Sequence, residues 1–152
     1  MSDLETYNRQ IVAEFRASGG RTVGPQGLSL LLLHHVGARS GVDRVTPLAY
    51  WPVTDGAVAV LASNFGAPTH PAWYHNLLAK PTTTVEIGSD TWAARARVAT
   101  PNERTGILDR IANQASPVAV AVSRASRQIP VVVLGLLSRT PQSSNSPNPS
   151  DT

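Results

Sequence analysis

Cysteine is absent from this chain, which excludes disulfides, thiolate nucleophiles and zinc–thiolate centres. Lysine is nearly absent: Lys80 is the single lysine among thirteen basic residues. Its four histidines form no metal-binding spacing. Charged residues make up only 15% of the 152 positions and the net charge is +3, with no dense basic run, so nucleic acid is not an expected partner. No apolar run approaches the ~20 residues of a membrane helix. The first residues lack a basic segment followed by an apolar one, so no leader is expected and a cytoplasmic location follows by default.

What remains is the composition of one globular domain, 41% hydrophobic. The arginine excess suits fixed, bidentate grips on phosphate or carboxylate; a coding bias is the plain alternative. Ser2-Asp3-Leu4-Glu5 reads as a capping box. Leu4, Tyr7, Ile11 and Phe15 then share a helical face ending at Gly19-Gly20. That stripe is expected to pack on the domain, with contact to a membrane surface or a partner as the other use.

Leu28 to His35, Val42 to Val53 and Ala57 to Ser63 read as three strands of an antiparallel meander. Pro47 marks an edge or bulge, and Asp55-Gly56 a hairpin turn. Pro71 suits the first position of a helix running to about Ala79. Thr82 to Ile87 and Thr91 to Ala99 pair across Gly88-Ser89-Asp90. Thr100-Pro101-Asn102-Glu103 is a second capping box, opening a helix to about Ala115. Pro117 to Ser126 suggests a short helix, and Ile129 to Leu137 a last strand. The domain is expected to span 1–137, with 1–20 as its first helix. The Ser-, Pro- and Asn-rich residues 138–152 read as a disordered tail. This order predicts an α+β, mainly β fold: a six-stranded antiparallel barrel with flanking helices.

Chemistry concentrates between His34 and Asn76. Gly37-Ala38-Arg39-Ser40-Gly41 can turn its backbone amides inward as an anion nest; Arg39 and Arg44 add charge and Ser40 a hydroxyl. The plain alternative is a hairpin loop with two solvated arginines. Ala62-Ser63-Asn64-Phe65-Gly66 follows a strand with residues small enough for a flat ring to approach, or small only for packing. His70-Pro71-Ala72-Trp73-Tyr74-His75-Asn76 opens a helix. Trp73 or Tyr74 is placed to stack on or fence a ring and Asn76 to orient it, unless the aromatics are core. His34 and His35 adjoin the loop and alternate to opposite faces. No Ser-His-Asp triad or close carboxylate pair suggests a hydrolase.

In this order, these blocks resemble the deazaflavin-dependent nitroreductase family of actinobacteria and relatives. The resemblance covers about residues 28–134. The family's Gly-Arg-Lys-Ser-Gly, Arg and Pro-Leu stand here as Gly37 to Gly41, Arg44 and Pro47-Leu48. Its Ala-Ser-Lys-Gly-Gly stands as Ala62 to Gly66. Its His-Pro-x-Trp-Tyr-His-Asn-Leu is matched at His70 to Leu77, and its Arg-x-Ile-Pro-Val at Arg127 to Val131. The resemblance implies a split β-barrel, of the type that also binds FMN, here using coenzyme F-420. It implies that Arg39, Ser40, Gly41 and Arg44 hold the cofactor's phosphate and acidic tail near Pro47. Ala62, Ser63, Asn64 and Gly66 would flank the deazaflavin, with Pro71, Trp73, Tyr74 and Asn76 near its ring or linker. Ala38 and Asn64 replace two basic residues of the family pattern. The family's tyrosine-rich segment is here Pro117 to Val122, so Val118, Ala121 and Val122 would line a more open, apolar substrate pocket.

The expected activity is hydride transfer from reduced deazaflavin to an activated double bond, a quinone or a nitro-type acceptor. Ser63 and Tyr50 are the candidate donors to the acceptor's developing charge. The alternatives are a non-catalytic barrel holding a cofactor, lipid or quinone, and a reductase using FMN. The resemblance is compatible with a monomer or a homodimer.

Overall fold

The four leucines Leu30 to Leu33 are buried without alternation, so both faces of their strand must be covered. In a computed structural model, which describes residues 3–24, 27–64, 67–114, 122 and 127–141, this is how they sit. Helix α1 (Asp3–Ala17) is followed by strands β1 (Leu30–Val36), β2 (Asp43–Ala49), β3 (Trp51–Thr54) and β4 (Ala57–Leu61). Helix α2 (Ala72–Ala79), strands β5 (Thr82–Ile87) and β6 (Asp90–Val98), helix α3 (Pro101–Gln114) and strand β7 (Val131–Pro141) complete the order. The sheet runs β2-β1-β5-β6-β7-β4-β3, and its named pairings are antiparallel. Its two outer strands, β2 and β3, are consecutive in the chain and parted only by Tyr50. The sheet therefore curls into a split barrel.

Seven strands replace the six expected. The segment Val42 to Val53 divides at Tyr50 because its two halves serve different neighbours. β2 pairs with β1, β3 pairs with β4, and the Tyr50 amide donates to Ser29 O at 3.2 Å at the corner. Pro47 lies on β2 opposite Leu32, in a strand with a single neighbour, where a missing N–H is tolerated.

Leu31 and Leu33 point into the barrel with Val58, Val60, Val85, Ala94, Val132 and Leu134. Trp73 and Leu77 of α2 join this cluster, so α2 plugs the barrel. Leu30 and Leu32 point outward under Phe15 of α1, with Ile11 and Val12 beside them. The expected α1 stripe is thus split. Its C-terminal half packs, whereas Leu4 and Tyr7 are 46% and 42% exposed. Helix α3 covers the other outer face through Ile107 and Ile111, which meet Trp51, Leu61 and Val131. Its capping box is reciprocal: Glu103 N–H donates to Thr100 Oγ1 at 3.3 Å and Thr100 N–H to Glu103 Oε1 at 2.9 Å.

A carboxylate is buried between α1 and the sheet. Glu86 accepts from Arg16 at 3.2 and 2.7 Å and bonds His34 Nε2 at 2.6 Å. Burial pushes its pKa up, but the Arg16 and His34 hydrogen bonds outweigh it and hold the carboxyl below its usual range.

The expected tail begins too early. Ser138, Arg139 and Thr140 continue β7 opposite Ala93, Trp92 and Thr91. A backbone ladder needs no apolar side chains, and Arg139 is held at the surface by Asp90 at 3.3 Å and by the Trp92 ring. Residues 142–152, the Ser2 cap and most of the expected Pro117 to Ser126 helix lie outside the described residues. No described helix is long and apolar enough to cross a membrane.

Candidate active site

The turn after β1 and the start of α2 come together through Asn76. Its Oδ1 accepts the Ala38 amide at 2.9 Å, and its Nδ2 meets His35 Nδ1 at 2.9 Å. An amide NH2 only donates, so His35 Nδ1 accepts; Nε2 then carries the proton and donates to Thr46 Oγ1 at 2.8 Å. Burial pushes His35 down to about 4, with Arg44 and His34 adding to the shift. His35 is therefore a neutral strut at neutral pH. His34 points the other way, to Glu86, as strand alternation requires.

The turn is not the open nest expected from its glycines. Gly37 N–H donates to Val42 O, Gly41 N–H to Gly37 O and Val42 N–H to Ser40 Oγ. With the Ala38 amide on Asn76, four amides are spent on holding the loop. Gly41 has φ +70, where glycine costs least. A Cβ on Gly37 would stand 2.4 Å from Ser40 Oγ, so a side chain there would push that hydroxyl off the Val42 amide. What faces solvent is Arg39 and Arg44, both exposed and without an ion pair among the described residues. An anion would be held by these guanidiniums, with Ser40 and Gly41 shaping the loop between them.

The segment after β4 is organised by Arg127. Its NH2 group donates to Ala62 O at 2.9 Å and to Ser63 O at 3.1 Å, and its Nε to Ala67 O at 3.2 Å. Its NH1 group donates to His70 Nδ1 at 2.6 Å, which leaves the His70 proton on Nε2. Some burial, Arg127 and His75 push the His70 pKa down. Asn64 takes the left-handed φ of +52 and ties its side chain to Thr69 O at 3.0 Å. Ala62 is fully buried, and the Ser63 hydroxyl has no partner among the described residues.

At the helix start, Pro71 caps α2 with extended backbone. The rings of His70 and Tyr74 lie 4.9 Å apart, and those of Tyr74 and His75 5.7 Å apart. Trp73 does not fence this surface: at 6% exposure its indole belongs to the barrel core. Asn76 is likewise buried and bonds inward. Tyr74 stays half-buried, with the His70 ring beside it, and lines a cavity with Leu77, Arg97 and Val98. Tyr50 packs half-buried against the same cluster as Trp73 and Tyr74, and burial pushes its phenol pKa up. Of the expected substrate-pocket residues, Val122 packs with the α3 cluster on the outer face, away from Tyr74. Val118, Ala121 and Gly66 lie outside the described residues.

A fit for coenzyme F-420 rests on these features. Two unpaired arginines offer an anion grip, and buried Asn76 fixes their turn against α2. Arg127 links the Ser63 segment to His70, whose ring lies beside Tyr74. Arg127 and Glu86 had no assigned role in the sequence, and Asn76, expected to orient the ring, instead bonds the Ala38 amide and His35. Arg127 and Glu86 reach partners 52 to 70 positions away, and the Asn76 partners are 38 and 41 positions away, beyond any local pattern.

Residues 7–135 match the family described as F420H(2)-dependent quinone reductase. The chain is 37% identical over 129 residues to the F420H(2)-dependent quinone reductase Rv1261c of Mycobacterium tuberculosis, covering 80% of this chain and 85% of that protein. A solved structure described as an F420-H2 dependent reductase superposes with a TM-score of 0.62 at 32% identity, covering 69% of this chain and 92% of that one. Another, described as a domain-swapped dimer, has a TM-score of 0.64 at 28% identity, covering 88% and 99%. With most of its length inside the match, the chain belongs to the F420H(2)-dependent quinone reductase family.

Proposed function

We propose that this protein transfers a hydride from reduced coenzyme F-420 to a quinone in the groove between the Gly37–Gly41 turn and the start of α2. The observation that carries this reading is the Asn76 clamp, which ties the turn that carries Arg39 to α2, the helix whose start holds His70 and Tyr74. When bound, the reduced deazaflavin supplies the two-electron donor. Arg39 and Arg44 hold its phosphate and the start of its acidic tail. Ala62 and Ser63, whose carbonyls are pinned by Arg127, present a backbone that does not shift when a ring approaches.

A quinone that accepts a hydride develops negative charge on oxygen and then takes a proton. The Ser63 hydroxyl and His70 Nε2–H are the donors offered to that oxygen. Tyr50, with its raised pKa, stays protonated at neutral pH. Burial, Arg127 and His75 push the His70 pKa down, and Arg127 occupies Nδ1, so the ring donates from Nε2 without bringing a positive charge beside the chromophore. The exposed Leu4 and Tyr7 of α1 suit contact with a lipid surface, where apolar quinones reside, on the cytoplasmic side. The protein is a monomer or a homodimer.

The test mixes pure protein, reduced cofactor and menadione anaerobically. Turnover restores the visible absorbance of oxidised deazaflavin. Tight binding without oxidation across quinones, enones and nitroaromatics would instead mark a carrier of the cofactor.

A further inference from the structure

A groove between α2 and β6 lies away from the Gly37–Gly41 turn and has no part in the anion grip. Leu77, Leu78 and Pro81 line it from the helix side, and Ala96, Val98 and Val132 from the sheet. Its apolar lining reaches water on both sides, since Leu78 is 55% exposed and Val98 42%. The Ala96 amide donates to Pro81 O at 2.8 Å, which ties the exit of α2 to β6 and fixes their separation there. Arg97 also lines the groove, but its charge is committed: it donates to both carboxylate oxygens of Glu103 at 2.6 Å. The groove therefore offers no free charge and suits an uncharged, apolar group.

Size and position narrow the choice of occupant. The volume is about 190 Å3, below the ~300–1,000 Å3 of a site that encloses a whole small molecule. An apolar chain carried by a larger molecule fits it better than a complete ligand. Tyr74 lines the groove, and its ring lies 4.9 Å from that of His70, whose Nε2–H is offered to the acceptor oxygen. A chain attached to a quinone ring beside His70 has only to pass Tyr74 to enter the groove.

We propose that this groove binds the apolar side chain of the quinone and that Leu78 and Val98 select for chain-bearing acceptors, an inference that rests on the quinone reading above. The test compares menadione with the same naphthoquinone carrying a chain of two isoprene units, in wild type, Leu78→Asn and Val98→Thr. Both substitutions keep size and lose apolarity at exposed positions. In the cofactor-free wild type, amide NMR shifts at Leu78 and Val98 respond to the chain-bearing quinone and not to menadione. In turnover, each variant raises KM for the chain-bearing quinone by about threefold to tenfold, in line with losing part of the burial of one apolar side chain. Its kcat is unchanged, as are the menadione kinetics. Turnover of both quinones with KM values that neither variant alters overturns the chain assignment and leaves the reductase reading standing. Shifts at the groove without turnover of either quinone support the chain site and overturn the reductase reading. Shifts at Leu78 and Val98 that grow with protein concentration alone assign the groove to a second copy of the chain and overturn the proposal.

Discussion

Asn76 Oδ1 lies 2.9 Å from the Ala38 amide, so one buried side chain on α2 holds the loop that carries Arg39. The same amide group fixes the His35 tautomer. Replacing Asn76 by Leu leaves the buried His35 imidazole without its donor, costing about 1–3 kcal/mol, and frees the exposed Ala38 amide to water at a smaller cost. The variant is expected to melt at lower temperature and to lose cofactor affinity together. Asn76→Asp is the sharper probe. A carboxylate cannot donate to His35 Nδ1, so His35 takes a second proton and its pKa rises, which histidine NMR titration reads directly.

His35 also predicts an acid limit to stability. Its folded pKa of about 4 lies below the ordinary 6.5. The unfolded chain binds the extra proton first as pH falls, so stability is fully present above about 6.5 and is lost between there and about 4. The loss is about 2 kcal/mol after allowing for solvent screening. Urea melts of wild type and His35→Gln across this range should converge in the acid. Parallel curves would show that His35 does not titrate as described.

Arg127 holds three carbonyls and His70. Arg127→Lys keeps the charge but cannot span these partners from one planar fork. A loss of about 2–4 kcal/mol in stability is expected. The quinone reaction should lose kcat more than cofactor affinity, since the loop bearing Ser63 loosens while the arginine grip stays. An equal loss in both would contradict the separation of roles.

Glu86→Gln removes the charge that joins α1 to the sheet. With Arg16 44% exposed, the cost is modest, about 1–2 kcal/mol. The Glu86 carboxyl is held below its usual value, so its contribution is present above about pH 4.5 and disappears as pH falls through its folded pKa. Hydrogen exchange should show α1 opening first in the variant, with the barrel unchanged.

Period and turn chemistry made much of this fold legible. The Asp55-Gly56 hairpin, the Thr100 capping box and the Pro71 helix start stand where local rules put them, because each is satisfied within a few residues. The break at Tyr50 was hidden: the residues on both sides favour strands, and only the change of partner from β1 to β4 divides them. The extension of β7 to Pro141 was hidden too, since backbone pairing with β6 leaves no apolar trace. At the site, the unpaired Arg39 and Arg44 could be read from their loop. The burial of Trp73 could not, because the same aromatic motif serves a groove or a core depending on how α2 is rotated against the barrel.

The most direct test of the account is a fluorescence titration of oxidised coenzyme F-420 into wild type and the Arg39→Ala, Arg44→Ala double variant, with thermal melts alongside. Neither arginine has an ion pair in the described structure, so the variant should melt as wild type does. Its affinity should fall by about 3–6 kcal/mol if both guanidiniums bond the anion. Failure of the wild type to bind at tens of micromolar, or equal affinity in the two proteins, would contradict the claim that this groove is built to hold the cofactor.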